Sequence, residues 1–492
     1  MRSCGILMPI FSLASHGGIG TFGKEAYRFV DFLNAAKQSY WQILPLSPVG
    51  NGDSPYQSVS AYAGNPYFID PEILIEEKLL TKKELEAFDF GNDPHKVDYE
   101  KLSENRIKML KKAFDRFSPD DEYNRFCEEN SYWLEDYARF MAIKDNQNNA
   151  VWQSWPDGLR RHNEAAITNI DESLRDQIDF YKFMQFKFLQ QWLKLKAYAN
   201  QNGIKIIGDV PIYVAYDSAD VWAEKHLFQL DDDFKPTMVS GCPPDAFSEE
   251  GQLWGNPLYD WKKMKADGFS WWVKRLKFAL YCFDVVRIDH FRGFESYYAI
   301  PANDTTAKNG KWVKGPDMAL FRQFKKDIGE DLPIIAEDLG FLTDAVKKLL
   351  KSTGYPGMKV LQFAFDSDGS NEYLPYNHPK NSVVYTGTHD NDTINGWCQS
   401  APDSDVERAE NFFAANRQDG FNWVMMRAAL MSPADTCILM MPDLLGLDSS
   451  GRINTPGVVG GNWNWRIDDF CINDWLSKII ADNTTLFGRD IK

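Results

Sequence analysis

The sequence predicts an α/β fold, a (β/α)8 TIM barrel with helical and loop subdomains inserted on its C-terminal rim. Two observations support this. Short apolar runs bounded by turn residues alternate with helical patterns, and polar residues collect at the ends of several of these runs. The runs span residues 4–10, 40–46, 204–214, 283–291, 332–338, 358–365, 382–390 and 436–445.

Helical patterns follow most of the runs. Between residues 26 and 33, after the first run, apolar residues recur at the spacing of one helix face. After the fifth run, Thr343 is a candidate N-cap and Gly354 a candidate helix end. Alternating strands and helices of this kind most commonly close into a parallel barrel.

Two intervals between runs are too long for a single barrel helix. Residues 71–165 are charged and helical in pattern, which predicts a mainly helical insertion. Residues 215–265 are rich in Pro, Gly and Trp, which predicts a loop-rich insertion over the active site. The barrel would then be discontinuous, formed by residues 1–70 and 166–492.

The bulk composition narrows the classes of function. The chain is 44% hydrophobic and 25% charged, which is typical of a globular protein. Its net charge of −16 argues against nucleic acid as a partner. Seven scattered cysteines without a CxxC pair predict no disulfide framework and a reducing cytoplasm, and the seven histidines lack the spacing of metal ligands. We expect no cofactor, no metal and no membrane partner, and the oligomeric state stays open.

Carboxyl groups at the ends of different runs predict chemistry on a glycosidic bond. Asp289, Glu337 and Asp390 end the fourth, fifth and seventh runs and would meet over the barrel mouth. Exchange of such a bond needs one ionised carboxylate and one protonated carboxyl group. Arg287 points to the same side as Asp289 and would favour its ionised form. Glu337 follows an apolar run and faces like charges, which would raise its pKa.

Each of these residues alone also fits a structural role. A single Asp at a strand end is commonly a helix cap, and an inward Arg commonly neutralises a buried acid. His290 could face solvent, whereas His389 could assist Asp390 in holding ring hydroxyls. Their joint occurrence on one rim favours a site.

Several long motifs closely resemble the amylomaltases, the 4-α-glucanotransferases of glycoside hydrolase family 77. They include "DVVRIDHFRGF", "IIAEDLG", "YTGTHDNDT", "GDVPIYV", "DSPYQSVSAYAGNP", "PPDAFSEEGQLWGNPLYDW" and "NTPGVVGGNWNWR". The resemblance implies a retaining transferase acting on α-1,4-glucans and maltooligosaccharides. It implies that Asp289 is the nucleophile, Glu337 the acid/base and Asp390 the transition-state stabiliser. The sugar-binding residues would be Tyr56, Asp209, Asp245, Phe247, Trp254, Arg287, His290 and His389.

Two positions qualify the resemblance. Ala246 stands where some family members carry an aromatic residue, so this chain has no ring for stacking at that position. The α-amylases usually carry a His five residues after the Asp of the third run, and this chain has Val214 there. This difference favours a transferase over a hydrolytic amylase.

Three alternatives remain at this point. The segment "GIGTFG" (18–23) matches a dinucleotide-binding pattern, but it lies well past the first run and the second run lacks the expected acid. A retaining α-glucan hydrolase of the same clan would carry similar residues. A catalytically silent glucan-binding protein is disfavoured because all three carboxylates are present.

Overall fold

The computed structural model describes residues 2–244, 249–340, 342–418 and 420–490. Each of the predicted apolar runs overlaps a strand. The strands in the described residues are β1 Ser3–Leu7, β2 Tyr40–Gln42, β3 Lys205–Val210, β4 Met238–Cys242, β5 Gln252–Pro257, β6 Val285–Ile288, β7 Ser296–Pro301, β8 Lys311–Lys314, β9 Ile334–Ala336, β10 Gly357–Val360, β11 Ser382–Tyr385 and β12 Thr436–Met440.

Eight of these strands form one parallel sheet that is nearly closed. Their order is β10, β11, β12, β1, β2, β3, β6, β9. At the remaining seam, the Ala336 N–H donates to the Pro356 carbonyl at 3.0 Å. The Met358 N–H donates instead to the Asp338 carboxylate at 2.6 Å. The predicted (β/α)8 barrel is therefore confirmed, and its parallel strands bring their carboxyl ends to one rim.

Helices pack around this sheet. The α-helices in the described residues are α1 Lys24–Ala35, α2 Pro71–Glu76, α3 Lys82–Leu85, α4 Tyr99–Phe114, α5 Asp121–Glu129, α6 Ser131–Asn146, α7 Asp157–Arg160, α8 Glu164–Ser173, α9 Arg175–Gln201, α10 Ala219–Ala223, α11 Trp261–Ala266, α12 Ser270–Cys282, α13 Met318–Asp327, α14 Asp344–Thr353, α15 Ile394–Ser400, α16 Asp403–Phe413, α17 Phe421–Met431, α18 Met441–Leu444 and α19 Asp474–Leu486.

Helix α14 ends where its sequence predicts. The Thr343 side chain accepts the N–H of Val346, and Gly354 closes the helix in the left-handed conformation at φ 78°. A residue with a Cβ is strained in that conformation, which explains the glycine. Both predicted caps are confirmed.

The chain between β2 and β3 is helical, from α2 to α9. The 27-residue helix α9 runs along the barrel, and α6 packs against it. Aromatic rings fill the contact between the shorter helices and α9; Phe114 of α4, for example, lies 5.5 Å from Phe183 of α9 between ring centroids. Apolar faces at helical spacing produce this packing.

A second sheet, which the sequence analysis did not predict, lies beside the barrel mouth. Its antiparallel strands follow the order β5, β4, β7, β8. Strands β4 and β5 precede β6, and β7 and β8 follow it. These strands are short, contain Gly and Pro and are interrupted by a bulge between Val239 and Gly241, so they lack a clear alternating pattern.

Candidate active site

The predicted carboxylates lie where the barrel strands end. Asp289 follows β6 directly, Glu337 follows β9 directly, and Asp390 lies in the loop after β11. Arg287 lies within β6 and pairs in register with Asp209 of the neighbouring β3. Two adjacent parallel strands therefore place a carboxylate and a guanidinium side by side.

Arg287 joins two of the acids. Its Nη1 atom lies 2.6 Å from Asp209 Oδ2 and 3.1 Å from Asp289 Oδ1. Asp209 Oδ2 also accepts the Tyr56 hydroxyl at 2.7 Å. On the other side, Arg287 Nε lies 3.4 Å from the sulfur of Met358. The buried guanidinium is thereby fixed by contacts from two other strands, β3 and β10, and it holds one oxygen of Asp289.

Glu337 is fixed by backbone groups. Its Oε2 accepts the N–H of His290 at 2.7 Å, and its Oε1 accepts the N–H of Leu339 at 2.7 Å. His290 has a left-handed backbone, with φ 51° and ψ 49°. This conformation is uncommon for residues other than glycine and clusters at functional sites. The residue after Asp289 therefore orients the second carboxyl group.

Burial dominates the protonation of this pair. It raises the pKa of Asp289 to about 8, although Arg287 opposes the shift. Burial also raises the pKa of Glu337, against the effects of Arg287 and the two backbone N–H groups. The raised pKa of Glu337 agrees with the sequence analysis. Arg287 lowers the pKa of Asp289, as the sequence analysis expects, but burial has the larger effect.

Asp390 lies beside an aromatic stack. The His389 ring stacks on Tyr56 with 5.2 Å between centroids and 15° between planes, and Trp463 packs on both rings. Burial lowers the pKa of His389, so the ring is neutral near pH 7. Asp390 Oδ1 lies 3.5 Å from His389 Nε2 and accepts a 2.6 Å hydrogen bond from Asn454 Nδ2.

Strand β5 brings Trp254 to the same place. Its ring meets His290 edge-on, with 4.8 Å between centroids. Burial lowers the pKa of His290 to about 3, and the structure gives its buried Nε2 atom no hydrogen-bond partner among the described residues. A neutral imidazole in this position can hydrogen-bond a sugar hydroxyl.

The predicted site residues that the structure describes are thus joined by contacts into one cluster. Asp245 and Phe247 lie outside the described residues. Sequence reasoning missed Met358, Asn454 and Trp463. The last two stand in the motif "NTPGVVGGNWNWR", which was noted for its resemblance without an assigned role.

The segment 18–23 has a packing role. A Cβ on Gly18 would lie 2.2 Å from the Phe90 carbonyl oxygen, and one on Gly20 would lie 1.7 Å from that of Ile10. The adjoining cleft, of about 350 Å³, is lined by Glu25, Asp70, Glu72 and Glu86 with one lysine. Such a surface repels phosphate, so the structure does not support dinucleotide binding here.

Three further observations on the described residues concern metal sites, membrane-spanning helices and cysteines. They contain no group of three or more His, Cys, Asp or Glu residues placed to hold a metal ion. Within the same residues no helix is long and apolar enough to cross a membrane. The seven cysteines, all of which are described, are free thiols.

Comparison with known proteins agrees with this geometry. The sequence profile of glycoside hydrolase family 77, described as 4-alpha-glucanotransferase, matches residues 8–472. The chain belongs to the 4-α-glucanotransferase family. A 4-alpha-glucanotransferase of Clostridium butyricum is 48% identical over 486 residues, covering 98% of this chain and 100% of the relative. One from Streptococcus pneumoniae is 49% identical, covering 99% and 97%.

A solved structure shares the whole fold. The amylomaltase from Streptococcus agalactiae, in complex with acarbose, superposes with a TM-score of 0.96 at 41% identity, covering 99% of this chain and 100% of that one. Family membership confirms the resemblance noted in the sequence. The chain is a transferase-type enzyme that moves α-glucan segments from donor to acceptor.

Proposed function

We propose that the enzyme transfers α-1,4-glucan segments by a retaining double displacement through a covalent glycosyl–Asp289 intermediate. Its substrates are maltooligosaccharides and longer α-1,4-glucans. The observation that carries this proposal is the placement of Asp289 against Arg287, with Glu337 held by the N–H of the next residue, His290. A nucleophile and an acid/base are the two groups that such an exchange needs.

The protons and electron pairs follow from this arrangement. An ionised Asp289 oxygen attacks the anomeric carbon while the bond from that carbon to the leaving oxygen breaks. Glu337 gives its proton to the leaving oxygen and becomes a carboxylate. In the second step, Glu337 takes the proton of an acceptor 4-hydroxyl, whose oxygen displaces Asp289 from the carbon. The two inversions retain the α linkage.

The reaction needs one proton on this pair, held by Glu337 while Asp289 is ionised. Charge on Glu337 raises the pKa of Asp289, so ionisation of one group disfavours ionisation of the other. The contact with Arg287 favours negative charge on Asp289. Asp390 stabilises the oxocarbenium-like transition state, with neutral His389 beside it.

The remaining side chains hold the sugar. Tyr56, Trp254 and Phe247 offer aromatic faces to pyranose rings, and Asp209, Asp245, Arg287, His290 and His389 offer hydrogen bonds. An acceptor sugar held in place reacts as an intramolecular partner does, which lets transfer compete with far more concentrated water.

We place the enzyme in the cytoplasm, in starch, glycogen or maltodextrin metabolism. Free thiols throughout the chain suit a reducing compartment. We further propose that residues 71–165 and 215–265 are insertions into a barrel formed by 1–70 and 166–492. The contact of Trp254 with His290 supports a role of the second insertion in walling the site.

Incubation with maltotriose alone tests this proposal. We expect free glucose together with a ladder of longer maltooligosaccharides, separated by chain length over time. Asp289→Asn should abolish both, since an amide cannot form the glycosyl ester. Glucose and maltose without longer chains would mean that water is the acceptor. A ladder that persists in Asp289→Asn would refute the assigned nucleophile.

A further inference from the structure

Asn454 is placed to act on Asp390 directly. Its Nδ2 atom donates to Asp390 Oδ1 at 2.6 Å, and its side chain is largely buried, at 9% relative exposure for the residue. The Asp390 side chain is 47% exposed, and among the described residues its carboxylate has one other polar neighbour, His389, at 3.5 Å. A hydrogen bond to a charged acceptor is about twice as strong as one between neutral groups.

The backbone around Asn454 is tied to the same loop. Its N–H donates to the His389 carbonyl at 3.0 Å. Arg452 donates to the Asp390 carbonyl at 3.1 Å and to the Asn454 carbonyl at 2.8 Å, and its guanidinium lies 3.6 Å from the Asp392 carboxylate. These contacts fix the 452–454 segment against the 389–392 loop. The Asn454 amide therefore meets the Asp390 carboxylate from a rigid position.

We infer that Asn454 is a positioning residue for the transfer reaction, holding the Asp390 carboxylate in the orientation that stabilises the transition state. The inference rests on the proposed role of Asp390. A half-exposed aspartate samples several rotamers, and one strong hydrogen bond from a rigid donor selects among them. Neutral His389 supplies no positive charge that could do the same. Preorganisation of a charge that acts only in the transition state raises kcat with little effect on KM.

A double-mutant cycle separates this role from support of the fold. Asn454→Ala, Asp390→Asn and the double variant are assayed for maltotriose disproportionation, at raised enzyme concentration for the slow variants. We expect Asn454→Ala to lower kcat roughly 10- to 100-fold, the loss typical of a hydrogen bond to a charged group, with KM changed less than about threefold. In the Asp390→Asn background the same change should cost less than about threefold.

The isosteric Asn454→Asp variant adds a pH readout. It replaces the donor with a second carboxylate beside Asp390, so its kcat relative to the parent should fall further as pH rises from about 4 to 8. A fold defect would give a ratio that does not depend on pH in this way. Thermal unfolding of each variant confirms that assays are made on folded protein.

The outcomes distinguish this inference from the proposed function. Equal losses from Asn454→Ala in both backgrounds, or no loss in either, overturn the positioning role, while a strongly reduced kcat of Asp390→Asn alone leaves the proposed role of Asp390 in place. An active Asp390→Asn variant would overturn the proposed role of Asp390 and this inference with it.

Discussion

Replacing Arg287 with Gln should move the acid limb of the pH profile of kcat/KM upward. The guanidinium lies 3.1 Å from Asp289 and is the largest influence that opposes the raised pKa of that group. Without it the carboxyl group keeps its proton to higher pH. The nucleophile must be ionised while Glu337 keeps its proton, and Arg287 lowers the pKa of both groups, so the profile moves to higher pH and activity at neutral pH falls.

The magnitude follows from the geometry. Two unit charges at this separation interact by about 5 kcal/mol at an effective dielectric constant of about 20. Solvent and the neighbouring Asp209 take up part of this, so we expect a shift of about one to three pKa units, the range usual for a carboxylate beside Arg. Since Asp289 starts from about 8, its ionised fraction at pH 7 falls about 10- to 1,000-fold.

The assay is initial glucose release from maltotriose between about pH 5 and 10. Arg287→Lys, which keeps the charge, is the matched control and should shift the limb less. Loss of a buried ion-pair partner destabilises proteins by about 3–5 kcal/mol, so each variant is first shown to be folded by its unfolding transition. An acid limb that stays within about 0.3 unit of the parent's, despite lower activity, would refute an electrostatic role for Arg287.

Two further predictions concern Tyr56 and Asp443. Tyr56→Phe keeps the stacking on His389 but removes a hydrogen bond to the Asp209 carboxylate, so kcat/KM for maltotriose should fall about 10- to 100-fold; an unchanged value contradicts this. Burial raises the pKa of Asp443 from 3.8 to about 6. The contribution of neutral Asp443 to the free energy of unfolding is then fully present below about pH 4 and lost as pH rises through about 6. At pH 8, Asp443→Asn should therefore be more stable than the parent by up to about 3 kcal/mol. A gain in the unfolding midpoint that does not vary between pH 4 and 8 would count against this reasoning.

The barrel strands could be predicted because burial on both faces favours continuous apolar runs. The charged groups that end these runs stand out against them, so Asp289, Glu337 and Asp390 could be proposed as a site. The caps of α14 follow from local chemistry alone. In each case the signal lies within a few neighbouring residues.

The rest depends on contacts between distant segments. Asn454 meets Asp390 across 64 positions, and Met358 meets Arg287 across 71. An Asn after an Ile, or a Met within an apolar run, carries no local sign of such a partner. The balance between burial and Arg287 at Asp289 depends on how the whole rim encloses the site. The spacing of residues along the chain does not show how deeply Asp289 is buried.

The seam between β9 and β10 ties the architecture of the barrel to its chemistry. The Asp338 carboxylate takes the place of a backbone carbonyl and receives the Met358 N–H across the gap. The same methionine touches Arg287 through its sulfur, and Asp338 is the immediate neighbour of Glu337. Asp338 therefore connects the two ends of the sheet through Met358. It also adjoins Glu337 in sequence and is linked through Met358 to Arg287, which holds Asp289. A substitution at Asp338 is therefore expected to alter barrel closure and site geometry together.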